Sequence, residues 1–449
     1  MSGSDRRMQL LMTAGLLLVM LAWWCGPQSY GDLREYAQMC DNLWLHGTFA
    51  NLDGQQSRLC WGFPCLMLPF RALGALLETC IGRNDLAHWV TALAAPVACL
   101  VVAALIARHA RRVGLRPADA VLAALLTVLA AGALSCSRMF CLEPVVGALL
   151  ISAVVLAEET RGIGKAAAAG VCLGAAFACH YANGACIAVL AVGLAWRILQ
   201  RLGNVMPALA LALTALAWVG LTALSNEARY GQMFTSGYNR SETVAMTAHE
   251  LAVNIPILGI VFLMVPWFPA VLAWVLARGA ALPRLLATAI VLQIFCWLWT
   301  WQFTHFPLRY LTPMIILGGF FVPDCLATIR AQFGRWSDFV ISRGSAALLA
   351  WGFVAFLSTG GFCRPILYDA QHPLFPGQAL AAMWYQPRAP YQYKGHYVWS
   401  APNNPESETL YPERPLTGWS IVTGALLMAC GAVLLGIASR SQGHSTRYA

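Results

Sequence analysis

The chain has 449 residues, of which 59% are apolar and only 11% are charged, and its mean hydropathy is +0.62. Soluble domains carry about 25% charged residues, so this composition excludes a soluble globular protein and indicates a polytopic membrane protein. The net charge of +9 could suggest a nucleic-acid partner. However, Lys and Arg collect in short loops between apolar runs, as in cytoplasmic loops. We therefore expect the bilayer, and no nucleic acid, as a partner.

Twelve apolar runs approach or reach the length of about twenty residues that crosses a bilayer. In chain order they are 8–25, 86–106, 118–134, 144–156, 166–179, 184–198, 205–224, 255–276, 285–301, 310–328, 344–359 and 417–438. With both termini cytoplasmic, every basic loop falls on one side of an inner or plasma membrane. The sequence thus predicts an all-α polytopic fold of about twelve transmembrane helices, forming one integral membrane domain over 1–449.

Two long segments fall on the opposite, outer side. The first outer loop, 26–85, is expected to be helical. Its second half, 61–77, is apolar but interrupted by Pro64 and Pro69, which favours an amphipathic segment at the interface. The second segment, 360–416, is rich in Pro, Tyr and Asn and precedes the last helix.

The first outer loop begins with an acidic stretch. In a helix, Asp32, Glu35 and Tyr36 would share one face, because residues three and four apart are neighbours. Carboxylates close to hydrocarbon are costly and usually functional. The alternative is that Asp32 only caps or begins a helix. Composition leaves both interpretations open.

Two further outer positions carry charge. Glu143 precedes Pro144 at the expected start of the fourth helix, where it either has a functional role or complements the helix dipole or pairs with Arg138. Arg309 stands with Tyr310 at the mouth of the tenth helix. Its planar guanidinium suits a phosphate, although a snorkelling interfacial arginine is the alternative.

Fifteen cysteines occur in the chain. Those inside apolar runs behave as small hydrophobic residues. Others lie in predicted outer loops, where disulfides can form but their pairing cannot be deduced from the sequence. These are Cys40, Cys60, Cys80, Cys136, Cys141 and Cys363.

Four segments, in this order and on one side, resemble the GT-C class of polytopic glycosyltransferases. The similarity is to the bacterial relatives of protein O-mannosyltransferases and of the aminoarabinose lipid A transferase. The segments are 31–36 with Leu45-His46-Gly47-Thr48-Phe49, then 137–144, Tyr230-Gly231 with Ser236-Gly237-Tyr238, and Pro307-Leu308-Arg309-Tyr310-Leu311-Thr312-Pro313.

The resemblance implies a GT-C-like fold and transfer of a sugar from a polyprenyl-phosphate donor to a lipid, glycan or protein hydroxyl on the outer face. It implies Asp32 as the general base and a catalytic role for Glu143. Two carboxylates and phosphate oxygens suit a hard divalent metal, so a metal at Asp32 and Glu143 is a further expectation. The substrate would contact Tyr36, Arg138, Tyr238, Arg309 and Tyr310.

A transporter or lipid flippase of envelope biogenesis is the competing function, since twelve spans fit it equally well. The acidic residues cluster at the outer side, however, whereas ion-coupled sites usually lie near the middle of the membrane. A non-catalytic partner in envelope assembly is a third possibility.

Overall fold

The computed structural model describes residues 3–24, 32–50, 57, 59–82, 86–137, 141–233, 248–300, 307–359, 391–393, 396–398 and 417–440. Almost all of them are helical. The helices are α1 Gly3–Trp23, α2 Asp32–His46, α3 Gly62–Ile81, α4 Leu86–Ala92, α5 Ala94–Arg112, α6 Pro117–Val128, α7 Ala131–Ser137, α8 Glu143–Glu158, α9 Ile163–Cys179, α10 Gly184–Leu202, α11 Val205–Tyr230, α12 Ala248–Met264, α13 Trp267–Arg278, α14 Ala281–Leu298, α15 Pro307–Gly318, α16 Val322–Phe333, α17 Ser337–Thr359 and α18 Thr417–Arg440.

The predicted all-α membrane architecture is confirmed, since the described residues of every predicted apolar run lie almost entirely on helices. Within the described residues, eight helical segments are long and apolar enough to cross a membrane, and a ninth is a pair of helices bent by 99°. The chain is therefore an integral membrane protein, while the number of about twelve spans stays a prediction. The helix α3 has the length and hydropathy of a span, so the assignment of 26–85 to one outer loop also stays a prediction.

Two predicted helices are broken, because the run 118–134 is divided between α6 and α7 and the run 255–276 bends sharply. The run 255–276 was expected to be continuous, but α12 ends at Met264 and α13 begins at Trp267. Pro266 lies between them. Proline lacks a backbone N–H and restricts the residue before it, so the helix turns here instead of continuing.

Small residues allow the helices to approach closely. A Cβ atom added to Gly170 would lie 2.2 Å from the Leu211 carbonyl oxygen, and one added to Gly174 would lie 2.4 Å from the Trp218 Cβ atom. The helices α9 and α11 therefore meet backbone to backbone, as is common in membrane bundles.

Ion pairs gather at one end of the bundle, which we call the basic end. Glu159 interacts there with Arg108, Arg112 and Lys165. Burial raises the pKa of Glu159, but the hydrogen bonds from Lys165 and Arg112 and the nearby charges outweigh burial and lower it. Further pairs at this end are Arg111–Asp5, Arg330–Asp119 and Arg197–Glu158. The clustering agrees with the predicted sidedness of the basic loops.

A short hairpin is the only strand structure in the described part of the chain. Strands β1 Tyr391–Tyr393 and β2 His396–Val398 pair antiparallel, with Tyr391 opposite Val398. They belong to the predicted segment 360–416, whose other residues lie outside the described ones. Strand β2 packs beside α2, which brings part of this segment next to the helix that begins at Asp32.

Candidate active site

A buried ion pair joins α8 and α15 at the end of the bundle opposite the basic end. The Arg309 Nε atom donates a hydrogen bond of 2.5 Å to the Glu143 Oε1 atom. The two side chains are only 6% and 1% exposed. Both residues lie in the first turn of their helices, and the carboxylate of Glu143 is further stabilised by the positive end of α8. The sequence had offered Arg138 as the partner of Glu143, and Arg138 lies outside the described residues.

Two thiols lie beside this pair. The Cys141 Sγ atom donates to the Glu143 Oε2 atom at 2.6 Å. The Cys136 Sγ atom is 3.6 Å from the Thr312 Oγ1 atom of α15. One ligand atom from each of Cys136, Cys141 and Glu143 lies within 4.8 Å of the others. Every cysteine in the described ranges is a free thiol.

Stacked rings cover the neighbouring surface of α15. Tyr310 stacks on Trp297 with ring centroids 4.5 Å apart, and His180 stacks on Trp297 at 5.8 Å. The Arg309 guanidinium carbon is 5.8 Å from the centroid of the Tyr310 ring. The stack therefore joins the start of α15 to the end of α14 and to the turn between α9 and α10, and it holds the backbone that carries Arg309.

Tyr36 connects α2 to the same region. Its side chain is 2% exposed, its hydroxyl donates to the Cys179 carbonyl oxygen at 3.4 Å, and its ring meets Phe63 edge-on at 5.4 Å. Glu35 accepts a hydrogen bond of 2.5 Å from Ser57. Because Tyr36 reaches the end of α9, the first turn of α2 is fixed close to the membrane helices.

A second buried charge cluster fixes the other end of α2, and sequence reasoning missed it. Asp41 on α2 pairs with Arg71 on α3 at 3.1 Å, and its second oxygen is 3.8 Å from the His88 Nδ1 atom on α4. All three residues are at most 5% exposed. The available signal was an arginine inside the apolar segment 61–77, because a charge placed there needs a partner.

The structure brings together only part of the predicted site. Glu143 and Arg309 are in direct contact, Tyr310 lies beside Arg309, and Tyr36 is buried at the end of α9. Asp32 is the first residue of α2, and the structure describes its backbone but not its side chain. Arg138 and Tyr238 lie outside the described residues. The expected metal at Asp32 and Glu143 therefore stays a prediction.

No family model matches the sequence, and no curated protein matches it. Two solved structures of ArnT from Cupriavidus metallidurans, one bound to undecaprenyl phosphate and one in the apo state, are similar over 96% of this chain. Each has a TM-score of 0.53 and 13% identity, and 77% and 76% of those chains are covered.

A weaker similarity relates the chain to the arabinosyltransferase EmbB from Mycobacterium smegmatis. Its TM-score is 0.44 at 13% identity, over 98% of this chain and 40% of that chain. The ArnT structures confirm the GT-C-like fold that the sequence motifs predicted. At 13% identity they establish the fold and leave the reaction to be inferred from the site.

Proposed function

We propose that the protein is a membrane glycosyltransferase that moves a sugar from a polyprenyl-phosphate donor to an acceptor hydroxyl on the outer face of an inner or plasma membrane, with both termini cytoplasmic. The buried pair of Glu143 and Arg309 carries this proposal. A guanidinium held in place by a carboxylate is a preorganised binding group for a phosphate, because its orientation is fixed before the anion arrives.

An apolar groove supports a lipid-linked donor. It has a volume of about 610 Å³ and lies among α9, α10 and α11, lined only by apolar residues and glycines. One end includes Phe177 and Gly184, close to the Cys179 carbonyl that Tyr36 contacts, and the other includes Trp196 and Leu199. An isoprenoid chain seated there would leave its phosphate near the site. The similarity to an ArnT structure bound to undecaprenyl phosphate points the same way.

In the proposed reaction, Asp32 accepts the proton of the acceptor hydroxyl as its oxygen attacks the anomeric carbon. The bond between that carbon and the phosphate oxygen breaks, the electron pair leaves with the polyprenyl phosphate, and the anomeric configuration inverts. Positioned proton transfer of this kind contributes typically about 10²–10⁴-fold. The sequence motifs support Asp32 in this role, and the start of α2 at Asp32 is consistent with it.

Arg309, with Arg138, neutralises the departing phosphate. Both Glu143 oxygens are hydrogen-bonded, one to Arg309 and the other to Cys141. We therefore assign Glu143 to holding the guanidinium in position. Tyr36, Tyr238 and Tyr310 shape the substrate site, and the hairpin beside α2 supports an acceptor site formed partly by the segment 360–416.

A transporter or flippase is the alternative function. The bent pair α12–α13 favours it, because discontinuous helices often form transport sites near the middle of the membrane. The residues flanking this break are Val265, Trp267 and Phe268, which are apolar and buried. They offer no side-chain ligand for a coupled ion, so we prefer the transferase.

A deletion strain tests the proposed function. Mass spectrometry of its lipids should reveal an accumulating polyprenyl-phosphate sugar, which identifies the donor. The wild-type gene and Glu35→Gln should clear it, since a glutamine oxygen can still accept the hydrogen bond from Ser57. Asp32→Asn should not clear it. A lipid profile identical in the deletion and wild-type strains would refute the proposed function.

A further inference from the structure

Cys136, Cys141 and Glu143 together supply two sulfur atoms and one oxygen atom, which is the composition of a zinc site. Thiolates and a carboxylate are zinc ligands, with Zn–S distances of about 2.3 Å and Zn–O distances of about 2.1 Å. Two thiolates on one tetrahedral zinc lie about 3.8 Å apart. The Cys136 and Cys141 sulfurs and a Glu143 oxygen already lie within 4.8 Å of one another. Shifts of roughly an ångström or less would therefore bring all three atoms onto one ion.

The electrostatics of the cluster also suit a divalent ion. Cys136, Cys141 and Glu143 are at most 1% exposed, so an uncompensated charge there would be costly. With both thiols protonated, the carboxylate of Glu143 and the guanidinium of Arg309 cancel. When a dication binds, two S–H bonds break, two metal–sulfur bonds form and two protons leave to solvent. Two thiolates, one carboxylate, one dication and Arg309 again sum to zero.

We propose that Cys136, Cys141 and Glu143 bind a zinc ion that ties α7 to the start of α8. The donor set excludes Mg²⁺ and Ca²⁺ as preferred occupants, since those ions take oxygen ligands. This site shares Glu143 with the metal expected at Asp32 and Glu143, but its other ligands are the two cysteines rather than Asp32. In the bound state the zinc fixes the carboxylate that orients Arg309, so it acts on the candidate active site through position alone.

Metal analysis of the purified full-length protein in detergent tests this site. After incubation with Zn²⁺ and removal of excess metal, the wild type should hold about one zinc per chain. Cys136→Ser and Cys141→Ser should weaken zinc binding by more than about tenfold. Cys186→Ser is the matched control, because Cys186 is equally buried but lies on α10 away from the cluster. It should retain the zinc.

Cobalt replacement supplies a readout that needs no variant. Co²⁺ bound by the wild type should show thiolate-to-cobalt charge-transfer absorption, and Zn²⁺ should remove it. A wild type that binds neither metal would overturn the proposal, and so would a disulfide between Cys136 and Cys141 found by thiol labelling and peptide mapping. Asp32→Asn should keep the zinc while losing transfer, so the metal site and the transferase activity can fail independently.

Discussion

Replacing Glu143 by glutamine removes one charge of the buried pair while keeping the shape of the side chain. Arg309 would then be left 6% exposed without its carboxylate, and breaking a buried ion pair from one side costs about 3–5 kcal/mol. We expect Glu143→Gln to lower the free energy of unfolding by that amount in mixed micelles. A guanidinium that shifts by about an ångström can lower the rate of catalysis about 10²-fold, so we also expect a large loss in kcat.

A double-mutant cycle separates the pair from the loss of each side chain alone. Glu143→Gln combined with Arg309→Met removes both charges, so the double variant should be more stable than the sum of the single effects predicts. The coupling should be about 1–3 kcal/mol, as found for residues in direct contact. Additive effects, or a Glu143→Gln variant with unchanged stability and kcat, would refute the pairing on which the proposed phosphate site depends.

Three other predictions test the surroundings of the site. Ala212→Trp should raise KM for a long-chain donor more than for a short-chain one, because Ala212 lines the apolar groove. The control is Leu213→Trp at the neighbouring residue, which is 62% exposed and does not line the groove, and it should leave both KM values unchanged. Asp41→Asn should lower the unfolding free energy by about 3–5 kcal/mol by leaving Arg71 buried without its carboxylate, and a shift below about 1 kcal/mol would contradict the buried pair. Because the pKa of Glu159 is lowered from its ordinary value of 4.5, ionised Glu159 stabilises the folded protein at pH values above 4.5. This stabilisation is lost as the pH falls through the lowered pKa. In thermal melts across this range, Glu159→Gln should therefore show a weaker dependence on pH, and identical curves would contradict the shift.

Hydropathy predicted the helices well, because a membrane helix must be apolar along a length set by the bilayer. The break between α12 and α13 was missed although Pro266 was visible. Proline is tolerated within many membrane helices, where neighbouring groups satisfy the freed backbone, so its presence alone does not predict a bend. The neighbouring Pro256 is an example, since α12 continues through it.

The candidate site was harder to predict, because its partners are distant in sequence. The short spacing between Arg138 and Glu143 suggested an ion pair between them, whereas the structure pairs Glu143 with Arg309, 166 residues away. Cys136, Cys141 and Glu143 are close in sequence, but their spacing is not that of a zinc ribbon, so the pattern did not predict that one ligand atom from each lies within 4.8 Å of the others. The charge pattern predicted the side of the membrane for each residue. The contacts between these residues depend on how the helices pack, which the charge pattern does not show.

Transfer by the purified protein in proteoliposomes tests the central claim most directly. With a polyprenyl-phosphate sugar and an acceptor, the wild type should release one polyprenyl phosphate for each sugar transferred. Asp32→Asn should lower that rate by at least about 10²-fold, the lower range for a general base, while Glu35→Gln retains it. Undiminished transfer by Asp32→Asn would contradict the proposed mechanism, and movement of the lipid-linked sugar across the bilayer without transfer would contradict the transferase itself.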